Sequence, residues 1–256
     1  MAFFRNVNFL LILFVFATSR LFAWGEQGHK MVAQIAKSCL DKNVIDSVQF
    51  YLGKMSFKSA SVWMDEIKKD KTYVYMNHWH YINIEKDASY VKTSEENIVN
   101  QLEKAISTLR SKEPRDKKKI ALQLRILFHL MGDLHQPLHA GYGEDRGGND
   151  IDVDFLGEPS NLHKVWDIDI IEKGKVGLKS CYEFANGLSQ KEKQAFCKVD
   201  VVAWMNESRA LLPEVYKFEK RIIDRQYLDK NKTVVQKQIV KAGIRLAAIL
   251  NETFRK

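Results

Sequence analysis

The sequence predicts an all-α protein, a compact single domain of many helices with at most a small β-hairpin. Three observations lead to this prediction. Apolar residues recur at helical spacing through most of the chain, strand-like runs are confined to residues 79–84 and 151–155, and no repeat or interdomain linker interrupts the pattern. The length is sufficient for one complete hydrophobic core.

The helices follow from apolar periodicity and from signals at their ends. Residues 27–40 place Met31 and Ile35 on one face, and Thr93-Ser94-Glu95-Glu96 fits a capping box ahead of the next apolar stripe. A glycine-rich loop is predicted over residues 141–150. The predicted helices are 27–40, 98–109, 119–134, 201–220 and 233–254.

Residues 1–23 have the three parts of a secretory signal peptide. Arg5 supplies the charge, residues 9–17 form a short apolar segment, and Leu21-x-Ala23 is a loose form of the cleavage pattern. The alternative, a retained anchor helix, fits less well because the apolar segment is short for a bilayer. We therefore predict a mature domain over residues 24–256 that is secreted or periplasmic, without stable membrane association.

The charge of the mature chain is moderately positive. The formal net charge is +8, and removal of Arg5 and Arg20 with the leader leaves +6. This excess favours polyanionic partners, although lysines spread over a solvated surface explain it equally well.

The cysteine pattern is too sparse for a scaffold built on disulfides. Cys181 and Cys197 flank a short segment and are spaced so that they can pair in an oxidising compartment, whereas Cys39 is expected to be a buried free thiol. No CxxC motif is present, which argues against a zinc site built from thiolates.

The seven histidines are interleaved with carboxylates, glycines and tryptophans. Two pairs have the spacing i, i+4, which brings both side chains to one face of a helix: His129 with Asp133, and His163 with Asp167. Helix capping and surface ion pairs explain one such pair, but not the whole set. Nitrogen and carboxylate ligands without thiolate suit zinc, and there are enough of them for more than one ion.

Cleavage after Ala23 would create a further nitrogen ligand. The mature chain would begin at Trp24, five residues before His29. A free α-amine has a reference pKa of about 7.7–8.0, so it is available as a neutral ligand near neutral pH.

These residues, in order, resemble the S1/P1 nuclease family, which shares the fold of zinc-dependent phospholipase C. Members are exported, mostly helical zinc phosphodiesterases that prefer single-stranded nucleic acid. The resemblance covers Trp24 to about Asp169, whereas the C-terminal helices agree only in general character. The matching motifs are Trp24 with His29, Asp65, His80, His129-x-x-x-Asp133, Gln136-Pro137-Leu138-His139 and Asn161-Leu162-His163-x-x-x-Asp167.

The resemblance implies three zinc ions per chain. It assigns Asp65, His80, His129 and Asp133 to the first ion, His139, His163 and Asp167 to the second, and the amine and carbonyl of Trp24, His29 and a bridging oxygen of Asp133 to the third. A hydroxide shared by two of the ions would attack phosphorus, and the products would be 5′-phosphorylated. Removal of 3′-phosphate from mononucleotides is also implied.

The resemblance also suggests substrate contacts. Lys68 shares a helical face with Asp65 and would bind phosphate, unless it is an ordinary solvated lysine. Tyr81 would stack on a base, unless it packs in the core, and Asn83 stands where fungal relatives carry an aspartate at the base site. His135 and Asn149 are further candidates for substrate or ligand-supporting contacts, whereas His78 stays unassigned.

Two other functions are compatible with part of this evidence. The first is a zinc-dependent phospholipase C, whose last zinc motif ends in glutamate, whereas His163-x-x-x-Asp167 ends in aspartate. The second is an exported protein that binds zinc or nucleic acid without catalysis, which would not require a complete ligand set. The sequence therefore predicts a monomeric endonuclease acting on single-stranded DNA, RNA and nucleotides.

Overall fold

Helices form most of the protein, in agreement with the all-α prediction. The computed structural model describes residues 24–111 and 116–255, so the predicted signal peptide lies outside the described residues. Among the described helices, none is both long and apolar enough to cross a bilayer. The α-helices are α1 (Glu26–Ser38), α2 (Lys42–Leu52), α3 (Phe57–Ile67), α4 (Ile98–Arg110), α5 (Lys117–Leu134), α6 (Leu162–Lys164), α7 (Ile170–Lys173), α8 (Leu178–Gly187), α9 (Gln190–Phe196), α10 (Val201–Arg209), α11 (Leu212–Val215) and α12 (Arg225–Phe254).

Helix α5 runs through the centre of the core. The Asp116 side chain caps its start by accepting a hydrogen bond from the Lys119 amide at 2.6 Å. From Ile126 to Leu134 every residue is buried, which is typical of a helix surrounded by other elements on all sides. Helices α1, α3 and α4 pack directly against it. The two polar side chains in this buried stretch, His129 and Asp133, therefore lie inside the protein.

Helix α12 is the longest element and covers one side of the core. It packs along α1, α5, α7 and α8, and it buries Val235, Ile239 and Leu246. It begins at Arg225 rather than at the predicted Thr233, because the Asp224 side chain accepts a hydrogen bond from the Tyr227 amide at 2.9 Å and caps an earlier start.

The strand predicted over residues 151–155 is present, and it belongs to a small sheet of three strands. Strands β1 (Asp152–Phe155) and β2 (Glu158–Asn161) pair antiparallel, with Val153 opposite Ser160. Strand β3 (Ile222–Ile223) joins the other edge of β1 in parallel, giving the order β2-β1-β3. This small sheet leads directly into α6, so it fixes the position at which the chain re-enters the helical core.

Two predictions for residues 79–97 are wrong. The cap of α4 is Asn97, whose side chain accepts hydrogen bonds from the amides of Val99 and Asn100, and not the box at residues 93–96. Residues 79–84 do not form a strand. A 3₁₀ helix spans Lys71–His80, and the extended residues after it donate only the Ile82 and Ile84 amides to a neighbouring turn.

The predicted helix over residues 201–220 is divided. Helix α10 ends at Arg209, and α11 is a separate single turn with Pro213 near its start. A proline has no amide hydrogen and its ring obstructs the preceding turn, so an uninterrupted helix is unfavourable here.

All three cysteines are free thiols. Cys181 is buried within α8 whereas Cys197 is exposed just after α9, and the predicted pairing between them is not formed. The prediction that Cys39 is buried is also wrong, because α1 ends at Ser38 and leaves Cys39 on the surface.

Candidate metal centre

The centre begins with two residues on α5. His129 and Asp133 lie one helical turn apart, and His129 Nε2 is 3.2 Å from Asp133 Oδ2. The other ring nitrogen, Nδ1, is 2.7 Å from the backbone oxygen of Ser61 in α3 and donates to it. This hydrogen bond fixes the ring so that Nε2 faces the Asp133 carboxylate, which is the usual way in which a metal-binding histidine is oriented.

His29 on α1 approaches the same carboxylate from the other side. Its Nε2 lies 3.1 Å from Asp133 Oδ1, and its ring stacks on that of His129 with centroids 4.1 Å apart. A Cβ atom on Gly132 would lie 2.5 Å from His29 Nδ1, so a larger residue at 132 would displace the ring.

Asp65 and His80 complete this side of the centre. Asp65, on α3, places Oδ1 3.7 Å from His129 Nε2, and His80, at the end of the 3₁₀ helix Lys71–His80, places Nδ1 2.9 Å from Asp133 Oδ2. Lys68 lies one turn after Asp65, with Nζ 2.6 Å from Asp65 Oδ1. The predicted common face of Asp65 and Lys68 is therefore present.

A second cluster contains His139, His163 and Asp167. His163 Nε2 lies 3.2 Å from Asp167 Oδ2, and His139 Nε2 lies 3.7 Å from Asp167 Oδ1. Both rings donate from Nδ1 to backbone oxygens at 2.7 Å, His139 to His80 and His163 to Gly147. Asp167 lies in a π-helical turn over Val165–Asp169, an irregularity that is frequent at functional sites.

The predicted ligands thus converge from distant parts of the chain. Within each of three groups, the potential ligand atoms lie within 4.8 Å of one another. The two sides of the centre also approach each other, since His139 Nδ1 is 4.0 Å from Asp133 Oδ1. The groups are His29–His129–Asp133, Asp65–His80–His129 and His139–His163–Asp167.

Trp24 begins the described chain beside this centre. Its side chain is fully buried, and the next residue, Gly25, donates its amide to the backbone oxygen of Asp167 at 2.8 Å. The main chain of Trp24 is therefore held next to a residue of the second cluster, whatever precedes it.

The hydrogen-bonding state of the centre fits bound cations. His29 Nδ1 and Nε2, Asp133 Oδ1 and His139 Nε2 are buried, yet none of these atoms makes a hydrogen bond with the described residues. Buried polar groups without hydrogen-bond partners are costly in a protein interior. A set of nitrogen and carboxylate oxygen atoms that face one another without hydrogen bonds is suited to hold metal ions.

The electrostatics favour charged carboxylates and a neutral His80. Burial acts to raise the pKa values of Asp133 and Asp65, but neighbouring charges, first among them that of His129, outweigh it and lower both. Burial and the charge of Lys68 lower the pKa of His80 to about 3. Deprotonated carboxylates and neutral imidazole are the forms that bind metal.

A cavity of about 290 Å³ opens beside the centre. Four of the predicted substrate residues line it, namely Lys68, Tyr81, Asn83 and Asn149. Sequence reasoning gave no role to three others that line it, Asn77, His78 and Arg146. His78 also lies 3.3 Å from the Tyr81 hydroxyl through Nδ1. The only signal for these three was their closeness in sequence to the ligands.

His135 is not a substrate contact. It is fully buried. Its Nδ1 donates to the backbone oxygen of Met131 at 2.8 Å, and its Nε2 accepts from Arg245 Nη1 at 2.8 Å. Burial and the Arg245 charge lower its pKa well below the ordinary value, so the ring is neutral. Asp133 and His135 are two positions apart at the end of α5, a spacing that directs side chains to different sides of a helix.

A sequence model of one protein family, described as S1/P1 Nuclease, matches residues 24–255. The chain belongs to the S1/P1 nuclease family. Among its relatives, Endonuclease 1 of Arabidopsis thaliana is 29% identical over 98% of this chain and 93% of its own length. Nuclease S1 of Aspergillus oryzae is 25% identical over 90% of this chain and 91% of its own length. Nuclease P1 of Penicillium citrinum is 26% identical over 90% and 97%.

Membership makes the protein a nuclease, a hydrolase that acts on phosphodiester bonds of nucleic acid. The match extends through the C-terminal helices, beyond the residues that carry the motifs. In an S1/P1 nuclease the three groups of histidine and aspartate are candidate metal sites, and the cavity beside them is the candidate site for the nucleic acid.

Gln136 is a positioning residue that sequence reasoning left without a role. Its Nε2 donates to Asp167 Oδ1 at 2.6 Å, and its Oε1 accepts from the Leu138 amide at 2.6 Å, all within the buried interior. The first contact orients the carboxylate and the second shapes the turn that carries His139. Partners of this kind are worth about 10–100-fold in metal affinity.

We expect Gln136→Glu to weaken the affinity of the centre for a divalent metal ion, with zinc as the probe, about 10–100-fold. Glutamate keeps the oxygen that accepts from Leu138 but replaces the donor with a negative charge against Asp167. Competition with a chromophoric chelator measures the affinity. Gln101→Glu is the matched control. Gln101 lies on α4 and is also buried, and its side-chain amide donates to Glu96 Oε1. It belongs to none of the three groups. Unchanged zinc affinity in Gln136→Glu would contradict the positioning role.

His139 makes metal binding dependent on pH. Burial acts to lower its pKa, but the nearby negative charges of Asp133 and Asp167 raise it to about 9 in the metal-free protein. Because this value lies above the unfolded value of 6.5, His139 stabilises the metal-free fold fully below pH 6.5 and loses that contribution as the pH rises through 9. Metal must displace this proton, so its affinity increases with pH over the same range.

Calorimetric titration with zinc at pH 7.5, in two buffers that differ in ionisation enthalpy, measures the displaced protons. At least about one proton per chain is expected to be released, and about one fewer by His139→Asn. The release is expected to diminish above pH 9. Equal heats in the two buffers would show that the histidines are neutral before metal binds.

Proposed function

We propose that this S1/P1 nuclease is an exported, monomeric, zinc-dependent enzyme that hydrolyses single-stranded DNA and RNA to 5′-phosphorylated products. We propose that it also removes 3′-phosphate from nucleotides. The observation that carries the proposal is the convergence of three groups of histidine and aspartate beside a cavity lined by Lys68 and Tyr81. Export follows from the signal-like residues 1–23, which would leave Trp24 as the first residue.

Zinc is the metal that this ligand chemistry supports best. The ligands are imidazole nitrogens and carboxylate oxygens without thiolate, and their unpaired nitrogen atoms are buried. Asp133 contacts His29 with one oxygen and His80 and His129 with the other, so its carboxylate is placed to serve two ions. The α-amine and carbonyl of Trp24 would complete the set with His29.

Bound zinc supplies Lewis acidity, which polarises phosphoryl oxygens and lowers the pKa of water. The protein's own residues would hold the metal ligands in position and bind the substrate. His129, His139 and His163 are held by backbone hydrogen bonds, so the ligands are in place before substrate arrives. Lys68, next to Asp65 at the cavity, would neutralise charge on the scissile phosphate.

The shape of the cavity supports a preference for single strands. A volume of about 290 Å³ lies at the small end for ligand sites, so it suits one nucleotide better than a base pair. A base in a duplex would have to leave its stack, which costs a few kcal/mol. The Tyr81 side chain remains 37% exposed at the cavity, where it is available to stack on a base for about 1–3 kcal/mol.

The test uses protein that begins at Trp24, with bound metal counted by mass spectrometry. Single-stranded DNA, single-stranded RNA, the corresponding duplexes, a 3′-mononucleotide and phosphatidylcholine are supplied in parallel. We expect rapid cleavage of both single strands, slower cleavage of duplexes, release of phosphate from the mononucleotide and no turnover of the lipid. Protein with three bound zinc ions that cleaves phosphatidylcholine but not single strands would overturn the proposal.

A further inference from the structure

Arg146 extends the nucleic-acid site beyond the metal centre. It lines the same cavity as Lys68, His139 and His163, but its side chain is 65% exposed whereas that of His139 is 5% exposed. It therefore lies at the rim of the cavity, further from the centre. No metal group among the described residues includes it.

The turn that carries Arg146 is shaped by the metal centre. Arg146, Gly147 and Gly148 have consecutive φ values of 54°, 63° and 78°, in the left-handed region. Gly147 offers its backbone oxygen to His163 Nδ1 at 2.7 Å, and a Cβ on Gly147 would lie 2.3 Å from the Leu138 backbone oxygen. The hydrogen bond between His163 and the Gly147 oxygen thus fixes the conformation of this turn. Arginine adopts the left-handed region at a cost of about 1 kcal/mol.

The charge of Arg146 is available to a ligand. Its Nη1 lies 3.3 Å from Asp150 Oδ1 in an i, i+4 pair, with 65% and 50% of the two side chains exposed. Such exposed pairs contribute little, about 0.2–1 kcal/mol, so a phosphate can displace the carboxylate. Lys68, in contrast, is 23% exposed and lies 2.6 Å from Asp65. Lys68 and Arg146 are thus suited to bind different phosphates.

We propose that Arg146 binds a phosphate that flanks the scissile phosphate, and that it selects strands with several phosphates over mononucleotides. This inference rests on the proposed function, in which the scissile phosphate lies at the metal centre beside Lys68. A phosphate one position along the strand would reach the rim, where the guanidinium can bind two of its oxygens. Asn149, whose Nδ2 donates to the Arg146 backbone oxygen at 2.8 Å, steadies the turn.

The test compares Arg146→Asn with wild type on a single-stranded 20-mer and on a dinucleotide with one phosphodiester. Asparagine tolerates the left-handed conformation, so the turn is kept. We expect KM for the 20-mer to rise about tenfold and the slope of log KM against log salt to fall by about 0.7, the value for one phosphate on a single strand. The rise for the dinucleotide is expected to be several-fold smaller. Arg146→Lys, which keeps the charge, is expected to give an intermediate KM.

Arg225→Asn is the matched control. Arg225 forms a similarly exposed i, i+4 pair with Asp229 at 3.0 Å, with 66% and 44% of the side chains exposed, and it does not line the cavity. Its loss is expected to leave KM and the salt slope unchanged. Asp150→Asn is expected to lower KM for the 20-mer in the wild type but not together with Arg146→Asn.

Three outcomes would contradict either the role of Arg146 or the proposed function. An unchanged KM and salt slope in Arg146→Asn would overturn the role of Arg146 while leaving the proposed function intact. An equal rise for the 20-mer and the dinucleotide would place Arg146 at the scissile phosphate and overturn the flanking contact. Failure of the wild type to cleave either single-stranded substrate would overturn the proposed function itself.

Discussion

Asp133→Asn is expected to lower kcat on single-stranded DNA by about 10³-fold or more and, under the proposed assignment of three zinc ions, to reduce the bound zinc to one ion. Asp133 is fully buried, and its two oxygens face His29 on one side and His80 and His129 on the other. An amide has the same shape but no charge, and only one of its two ends can bind a cation. The loss of one preorganised electrostatic group costs about 10²–10³ in kcat, and loss of metal adds to it.

Zinc content by mass spectrometry and kcat on single-stranded DNA together check this expectation. Asp169→Asn is the matched control, because Asp169 is also a buried aspartate but contacts Ser160 and Lys164 instead of the histidines. It is expected to retain zinc and activity. Full activity in Asp133→Asn would mean that the carboxylate does not bridge two metal sites.

Retention of a single residue before Trp24 is expected to remove one zinc ion and most of the activity. The Gly25 amide is bound to the Asp167 backbone oxygen at 2.8 Å, so the main chain next to Trp24 is held beside the second cluster. The chemistry of the Trp24 nitrogen differs between the two forms. A free α-amine has an available lone pair near pH 8, whereas the lone pair of a peptide nitrogen is delocalised into the carbonyl group and is a poor ligand.

The comparison uses protein beginning at Trp24 and protein beginning at Ala23. Zinc content and kcat on single-stranded DNA are measured for both. A one-residue extension at the C-terminus, after Lys256, serves as the control for added length. Equal zinc content and equal activity in the two N-terminal forms would rule out the α-amine as a ligand. The outcome would also show whether removal of the leader activates the enzyme.

The parts of the site that were predicted depend on short-range sequence patterns. His129 with Asp133 and His163 with Asp167 were recognised from i, i+4 spacing, because helical geometry alone brings such side chains together. Their assembly with Asp65 and His80 was expected only from the family resemblance. Nothing in local spacing indicates that the end of α3 and the 3₁₀ helix Lys71–His80 meet α5.

The parts that were missed depend on tertiary contacts. Gln136 was part of a recognised motif, but its bond to Asp167 joins residues 31 positions apart. His135 was expected near substrate because of its neighbours in sequence, yet its ring contacts Arg245 on α12. At the start of α4, both the box at residues 93–96 and Asn97 satisfy capping rules, and burial of Ile98 against the core fixes the start at Asn97.

The span of the ligand set has a consequence for folding. Under the proposed assignment, the metal ions join Trp24 on the first described turn to Asp167 in the π-helical turn, with ligands from α1, α3 and α5 between them. Each ion therefore closes a long loop, which restricts the unfolded chain much as a cross-link does. The three cysteines are free thiols, so no disulfide supplies such a constraint within the described residues. Resistance to unfolding and to proteases would then depend on the supply of metal.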